Sequence, residues 1–241
     1  MLFNKPSILC TGPVEKSLHG LPELEDAEID IVPFTTITDD LTETTIDQIK
    51  NALTKKAAVV FTSSNAIRSI IRYLENKKPE WTIFCIGNTT YELAKKYFGA
   101  ENIRQTAPNA KDLAEKVIAE MNGKEKEVIF FCGNLRRNDL PDALRQRNIE
   151  VEEIVVYQTS LSPMKVKKEY DAILFFSPSA ANSFFSLNKV TAQTVLFVMG
   201  NATAVAIKKH AANTIITGEE PDKYKLISKA IRFLKENTLS H

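Results

Sequence analysis

Short apolar runs alternate with longer stretches of helical period along this chain. Runs rich in Val, Ile and Phe occupy residues 7–10, 29–34, 57–62, 82–86, 102–105, 127–132, 150–159, 171–176, 194–199 and 213–216. They are short and nearly continuous, as strands buried on both faces of a parallel sheet are. Between them apolar residues recur at helical spacing: Ile46, Ile49 and Leu53; Ile67, Ile70, Ile71 and Leu74; Leu113, Val117 and Met121; Leu226, Ala230, Phe233 and Leu234. Each set forms one stripe that a helix buries against a sheet. Strand–helix alternation predicts βαβ units and an α/β fold with parallel sheets.

The pattern is written twice. Val59-Val60-Phe61-Thr62-Ser63-Ser64-Asn65-Ala66-Ile67 returns as Ile173-Leu174-Phe175-Phe176-Ser177-Pro178-Ser179-Ala180-Ala181, an offset of 114. Ile83-Phe84-Cys85-Ile86-Gly87-Asn88-Thr89-Thr90 returns as Leu196-Phe197-Val198-Met199-Gly200-Asn201-Ala202-Thr203, an offset of 113. Ile8-Leu9-Cys10-Thr11-Gly12 is echoed by Ile129-Phe130-Phe131-Cys132-Gly133, and Ile31-Val32-Pro33-Phe34-Thr35 by Val155-Val156-Tyr157-Gln158-Thr159. A tandem duplication of one unit accounts for this and predicts two similar lobes. Asp30–Thr36 and Val151–Ser160 are long extended segments with no clear helix directly after them, as expected of hinge strands on which the chain crosses between lobes.

Four of the repeated phrases end in small polar residues where a strand gives way to a helix. Ser63, Ser64 or Asn65 can cap the helix that follows, and so can Ser177 or Ser179. Gly87-Asn88-Thr89-Thr90 and Gly200-Asn201-Ala202-Thr203 are the second pair. Ligands of open parallel sheets bind at the carboxyl ends of strands, and helix starts there favour carboxylate or phosphate. Gly87 and Gly200 would let a ligand come close to the backbone. The same four turns serve equally as plain helix caps; their pairing is what points to an anionic ligand with several acidic groups, held between the lobes.

Composition narrows the choice. The 241 residues carry a net charge of +1, so bulk electrostatics offers no footprint for nucleic acid or a membrane surface. No apolar stretch approaches a membrane span, and the first residues lack the layout of a signal peptide, so a cytoplasmic location is expected. Cys10, Cys85 and Cys132 lie in or beside strand-like runs without metal-ligand spacing and read as small buried residues. His19, His210 and His241 are isolated and read as surface residues. Arg136 and Arg137 can clamp an acid group or simply face solvent at a helix start. Tyr157, in the second hinge segment, is either a core residue or a phenol donor facing the ligand. No nucleotide-binding glycine motif and no nucleophile elbow is present.

Taken in order, the Phe-Thr-Ser phrase at 61–63, the turn at 87–90, Gly133 through Tyr157 and Thr159, the phrase at 175–180 and the turn at 200–204 resemble uroporphyrinogen-III synthase over nearly the whole chain. The resemblance implies two flavodoxin-like α/β lobes joined by a two-stranded hinge. Residues 1–34 plus 160–241 would form the outer lobe and 36–157 the inner lobe, with hinge strands near 30–36 and 151–160. It implies a lyase of porphyrin and haem biosynthesis that closes linear hydroxymethylbilane with inversion of the last pyrrole ring, using no cofactor and no metal. The family's cleft tyrosine maps to Tyr157. Its polar turns map to Ser63, Ser64, Asn65, Gly87, Asn88 and Thr90, and to Ser177, Ser179, Gly200, Asn201 and Thr203, as holders of the substrate's carboxylates. A monomer in transient contact with the enzyme that supplies the substrate is expected. Thr11-Gly12-Pro13 lacks the arginine that family members often carry there, and Lys16 is the nearby substitute. A non-catalytic, polyanion-binding or regulatory protein of the same fold is the alternative that this departure favours.

Overall fold

The computed structural model describes residues 5–14, 22–75, 77–87, 89–121, 127–220 and 222–238. Lys16, His19, Asn88 and His241 lie outside them. The described residues fall into two compact units, one within 1–36 and 160–241, the other within 37–159.

The first unit is built on a parallel sheet of five strands: β1 (Ser7–Cys10), β2 (Glu28–Ile31), β9 (Ala172–Phe175), β10 (Val195–Val198) and β11 (Ile215–Thr217). Their spatial order is β2-β1-β9-β10-β11. The second unit is built on β4 (Ala57–Phe61), β5 (Trp81–Ile86), β6 (Ile103–Ala107), β7 (Glu127–Gly133) and β8 (Glu150–Leu161), also parallel, in the order β8-β7-β4-β5-β6. A further strand, β3 (Thr35–Thr38), flanks β8 at the edge of this sheet. The boundary between units falls inside β3 and inside β8.

These orders explain the sequence repeat. The first copy of the repeat is β1, β2, β4, β5 and β6, and the second is β7 to β11. Each sheet joins the first two strands of one copy to the last three of the other. Both sheets thereby have the flavodoxin-type order 2-1-3-4-5, and three of the four echoed phrases occupy the same place in their own sheets; the fourth differs, because 155–159 lies within β8 whereas 31–35 runs from the end of β2 into β3. The extended segment expected at 30–36 is divided: β2 and β3 belong to different sheets, with Pro33 and the fully buried Phe34 between them. Pro33 has no N–H to give to a ladder, which breaks the run there.

Helices cover both faces of each sheet, and strand residues alternate between the two layers. In the second unit Val59, Phe61, Ile83, Ile129 and Phe131 pack with α1 (Glu43–Ala52), α2 (Ser64–Ile70) and α3 (Thr89–Phe98). Ala58, Val60, Phe84, Val128 and Phe130 pack with α4 (Ala110–Met121) and α5 (Asp139–Arg145). In the first unit Leu9, Ile173, Phe175 and Leu196 meet α6 (Pro178–Phe185) and α7 (Asn201–Ile207), while Ile8, Leu174 and Phe197 meet α8 (Lys223–Thr238). Burial on both faces is why these strands read as unbroken apolar runs rather than as alternating ones. All three cysteines are buried and free, and burial pushes the Cys10 thiol to about 12 and those of Cys85 and Cys132 to about 11. Such thiols remain protonated and inert.

Candidate functional site

Because every strand from β4 to β8 points the same way, their carboxyl ends form one polar edge of the second unit. Phe61 anchors the end of β4 in the core, and the chain then passes through Thr62 to Ser63. Ser63 is the N-cap of α2: its backbone is extended (φ −148°, ψ 137°) and its Oγ accepts a hydrogen bond from the Asn65 N–H at 3.2 Å. Ser64 and Asn65 follow, half-buried, in the first turn. At the end of β5 the Gly87 N–H donates to the Ala107 carbonyl at 2.9 Å. A Cβ at Gly87 would meet only that oxygen, at 3.8 Å, so no neighbour within the unit demands a glycine there. Thr90, in the first turn of α3, is buried, with 6% of its surface exposed, whereas Thr89 beside it is exposed.

Tyr157 stands at the same edge. The register of β7 against β8 shifts after Cys132, which faces Val155, so that Gly133 faces Tyr157 and Val156 is the extra residue. Such a bulge re-aims the side chains beyond it. Val156 and Tyr157 both pack against the layer of α1, α2 and α3, while Val155 packs against that of α4 and α5. Strict alternation would have sent Tyr157 to the α4 side. Instead the phenol comes to Ser63. Burial raises the phenol's pKa and the interaction with the Ser63 hydroxyl draws it partly back; the net shift is upward, so the group stays protonated at neutral pH. Beyond it Asn134 braces the strand: its amide donates to the Thr159 carbonyl at 3.2 Å and its oxygen accepts the Thr159 N–H at 2.7 Å.

Arg136 and Arg137, considered as clamps for an acid group, are engaged within the protein. Arg137 pairs with Asp139 at 2.6 Å, and Arg136 bonds both Glu153 and Asn138. Burial pushes the Glu153 carboxyl up, but hydrogen bonds from Arg136 and Arg145 outweigh it and hold the pKa below its ordinary value. A carboxyl depressed in the folded state adds stability that is present above the unfolded pKa and lost as pH falls through the folded one. Glu153, with 15% of its side chain exposed, is sheltered enough for this to register. Glu153→Gln should therefore cost about 1–2 kcal/mol at neutral pH, and its deficit against the parent should close below about pH 4. Denaturant titrations at a series of pH values check this; a deficit that stays constant down to acid pH would refute it.

The equivalent edge of the first unit carries the second set of turns. Ser177 caps α6, its Oγ accepting from the Ala180 N–H at 3.1 Å and lying 3.0 Å from the Ser179 Oγ. Gly200 precedes α7 in extended backbone, with no side-chain cap, and a Cβ there would meet nothing within 4 Å. Asn201 is exposed, while Thr203 is buried at 3%. A positive charge not anticipated from the sequence also lies at this edge. The Lys223 ammonium, from the start of α8, donates to the Pro13 carbonyl at 2.5 Å and stands 5.1 Å from the centre of the Phe176 ring. Lys223 is far along the chain from Thr11-Gly12-Pro13, so only folding brings it there.

A family model described as uroporphyrinogen-III synthase HemD matches residues 17–228. The uroporphyrinogen-III synthase of Chlorobaculum parvum is 23% identical to this chain over 249 aligned positions, covering 94% of this chain and 99% of the relative. A solved uroporphyrinogen-III synthetase from Helicobacter pylori superposes with a TM-score of 0.64 at 15% identity, over 95% of this chain and 99% of the other. A mutant uroporphyrinogen III synthase from Thermus thermophilus gives 0.64 at 11% identity, over 98% and 100%. At such identities the two structures speak for the fold alone.

Proposed function

The chain belongs to the uroporphyrinogen-III synthase family, and on that footing we propose that it closes linear hydroxymethylbilane into uroporphyrinogen III, with Tyr157 as the catalytic group. The observation that supports this reading is the phenol of Tyr157, protonated at neutral pH, at the carboxyl edge of the second sheet beside Ser63. It donates a hydrogen bond to the terminal hydroxyl of the substrate. As the carbon–oxygen bond breaks, that oxygen takes up a proton and leaves as water. The azafulvene cation left behind is attacked by the far pyrrole, and the closed ring rearranges through a spiro intermediate. The proton lost when the ring regains aromaticity balances the one given to the leaving oxygen.

The turns containing Ser63, Ser64, Asn65, Gly87 and Thr90, and those containing Ser177, Ser179, Gly200, Asn201 and Thr203, take the acetate and propionate groups. With Thr90 and Thr203 buried, this contact falls to backbone amides and to the accessible side chains beside them. Holding a flexible polyacid in one conformer is an orientation task, and orientation lowers a closure barrier without a covalent intermediate. The protein acts as a monomer and receives its substrate in a transient complex with the enzyme that makes it. The decisive experiment supplies freshly made hydroxymethylbilane and resolves the two product isomers. Type III product is expected; type I alone, as in closure without enzyme, would overturn the function.

Gly200 offers a sharper test of the turns. Neither its backbone nor its surroundings require glycine, so a serine there fits, and it can cap α7 where no side chain does so now. Gly200→Ser should melt no lower than the parent while binding substrate about tenfold more weakly, ~1.4 kcal/mol. An unchanged KM would remove this turn from the site.

A further inference from the structure

The mechanism uses Tyr157, but a tyrosine side chain has two rotatable torsions, and something must fix where its phenol stands. A Cβ built on Gly133 would lie 2.4 Å from Cζ of Tyr157, 2.5 Å from Cε2 and 2.8 Å from Oη. No real side chain tolerates such separations, so the ring occupies the space that a side chain at Gly133 would fill. Gly133 is directly opposite Tyr157 across the β7–β8 ladder, at the place where the bulge shifts the register. Its φ is not in the left-handed region, which among described glycines is found only at Gly99. Backbone conformation is thus no reason for a glycine at 133; the ring is. The repeat provides an internal control. Gly12 is the counterpart of Gly133, and a Cβ there would come no nearer than 3.2 Å to a neighbour, Cδ2 of Phe176. The close seat belongs to the unit that carries the phenol.

We propose that Gly133 is a positioning residue: it seats the Tyr157 ring against β7 and so fixes the phenol oxygen beside Ser63, and any side chain at 133 displaces it. The inference rests on the reading of Tyr157 as the catalytic donor. Asn134, bonded twice to the backbone of Thr159, holds the strand on the far side of the tyrosine, so the ring cannot be relieved by moving β8 and must itself turn away.

The test is Gly133→Ala, measured in steady state with freshly made hydroxymethylbilane, alone and in a Tyr157→Phe background. On its own it should lower kcat at least tenfold with KM changed less than twofold, because the carboxylate-holding turns are untouched. Added to Tyr157→Phe it should lower kcat no further, since no phenol remains to be misplaced. If Tyr157→Phe is slow but Gly133→Ala keeps the parent's kcat, the seat is refuted while the catalytic reading stands. If Tyr157→Phe is itself fully active, the catalytic reading fails. Should Gly133→Ala be too unstable to assay, Gly133→Ala with Tyr157→Ala should regain the melting temperature of Tyr157→Ala alone, because removing the ring removes the overlap. Failure to regain it would place the defect in the backbone and overturn the proposal.

Discussion

Replacing Tyr157 by phenylalanine is expected to lower turnover by about 100-fold or more and to leave the fold intact. The ring packs against the α1–α3 layer and fills the space over Gly133, and phenylalanine retains both contacts. What is lost is a single O–H, the group proposed to meet the substrate's departing hydroxyl. Since the pKa of the phenol is raised, with burial the largest cause, the parent's rate should show no ionisation of this group through neutral pH. The product ratio discriminates as well as the rate: as turnover falls, closure outside the enzyme overtakes it and the type I isomer rises. A variant with parental kcat, an unchanged isomer ratio and an unchanged circular dichroism spectrum would end the proposed role.

Phe61→Ala should produce the largest loss of stability, about 3–5 kcal/mol. The Phe61 ring is fully buried and lies at the centre of an aromatic cluster, stacked on Phe131 at 5.5 Å and on Phe98 at 5.8 Å, with Trp81 at 6.3 Å. Truncation leaves a cavity lined by flat rings that cannot collapse into it, and it forfeits the pairwise aromatic terms as well. Trp81 is the sole tryptophan and lies in this cluster, 5.4 Å from Phe98 and 5.5 Å from Phe131, so its fluorescence follows the second unit specifically. Urea titration of that signal measures the effect without assuming that both units unfold together. A loss under about 1 kcal/mol would mean that the cluster repacks. Because Ser63 follows Phe61 by two residues, the variant should also lose activity at temperatures where it remains folded.

Much of this protein is visible in its residues before any coordinates are considered. The apolar runs predicted as strands match ten of the eleven strands among the described residues to within a few residues, because burial between two helical layers marks a parallel strand locally. Of the candidate caps Ser63, Ser64 and Asn65, and Ser177 and Ser179, the first of each set caps its helix, since a small polar residue before an apolar stripe is a local signal. The strand that was not separated, β3, follows Pro33 and Phe34 so closely that its pattern merges with that of β2; an extended run does not say which sheet it will join. Helix α5 gives only a weak signal: a helix start is open to Arg136 and Arg137 just before it, but seven residues with Pro141 inside give too short a stripe to define it.

The candidate site divides along the same line. That polar turns would end β4, β5, β9 and β10 was settled by composition and spacing, which act over a few residues. That Tyr157 faces Ser63 was not, because one extra residue in a ladder reverses the side on which a side chain emerges, and the bulge at Val156 exists only once β7 and β8 are in register. The need for glycine at 133 and the arrival of Lys223 beside Pro13 are likewise contacts between distant segments. The sequence by itself determined the kinds of elements, their duplication and the chemistry at their ends. Tertiary structure alone decided which copy's strands share a sheet, on which face the phenol stands and what holds it there, because pairing and register depend on segments that meet only when the chain has folded.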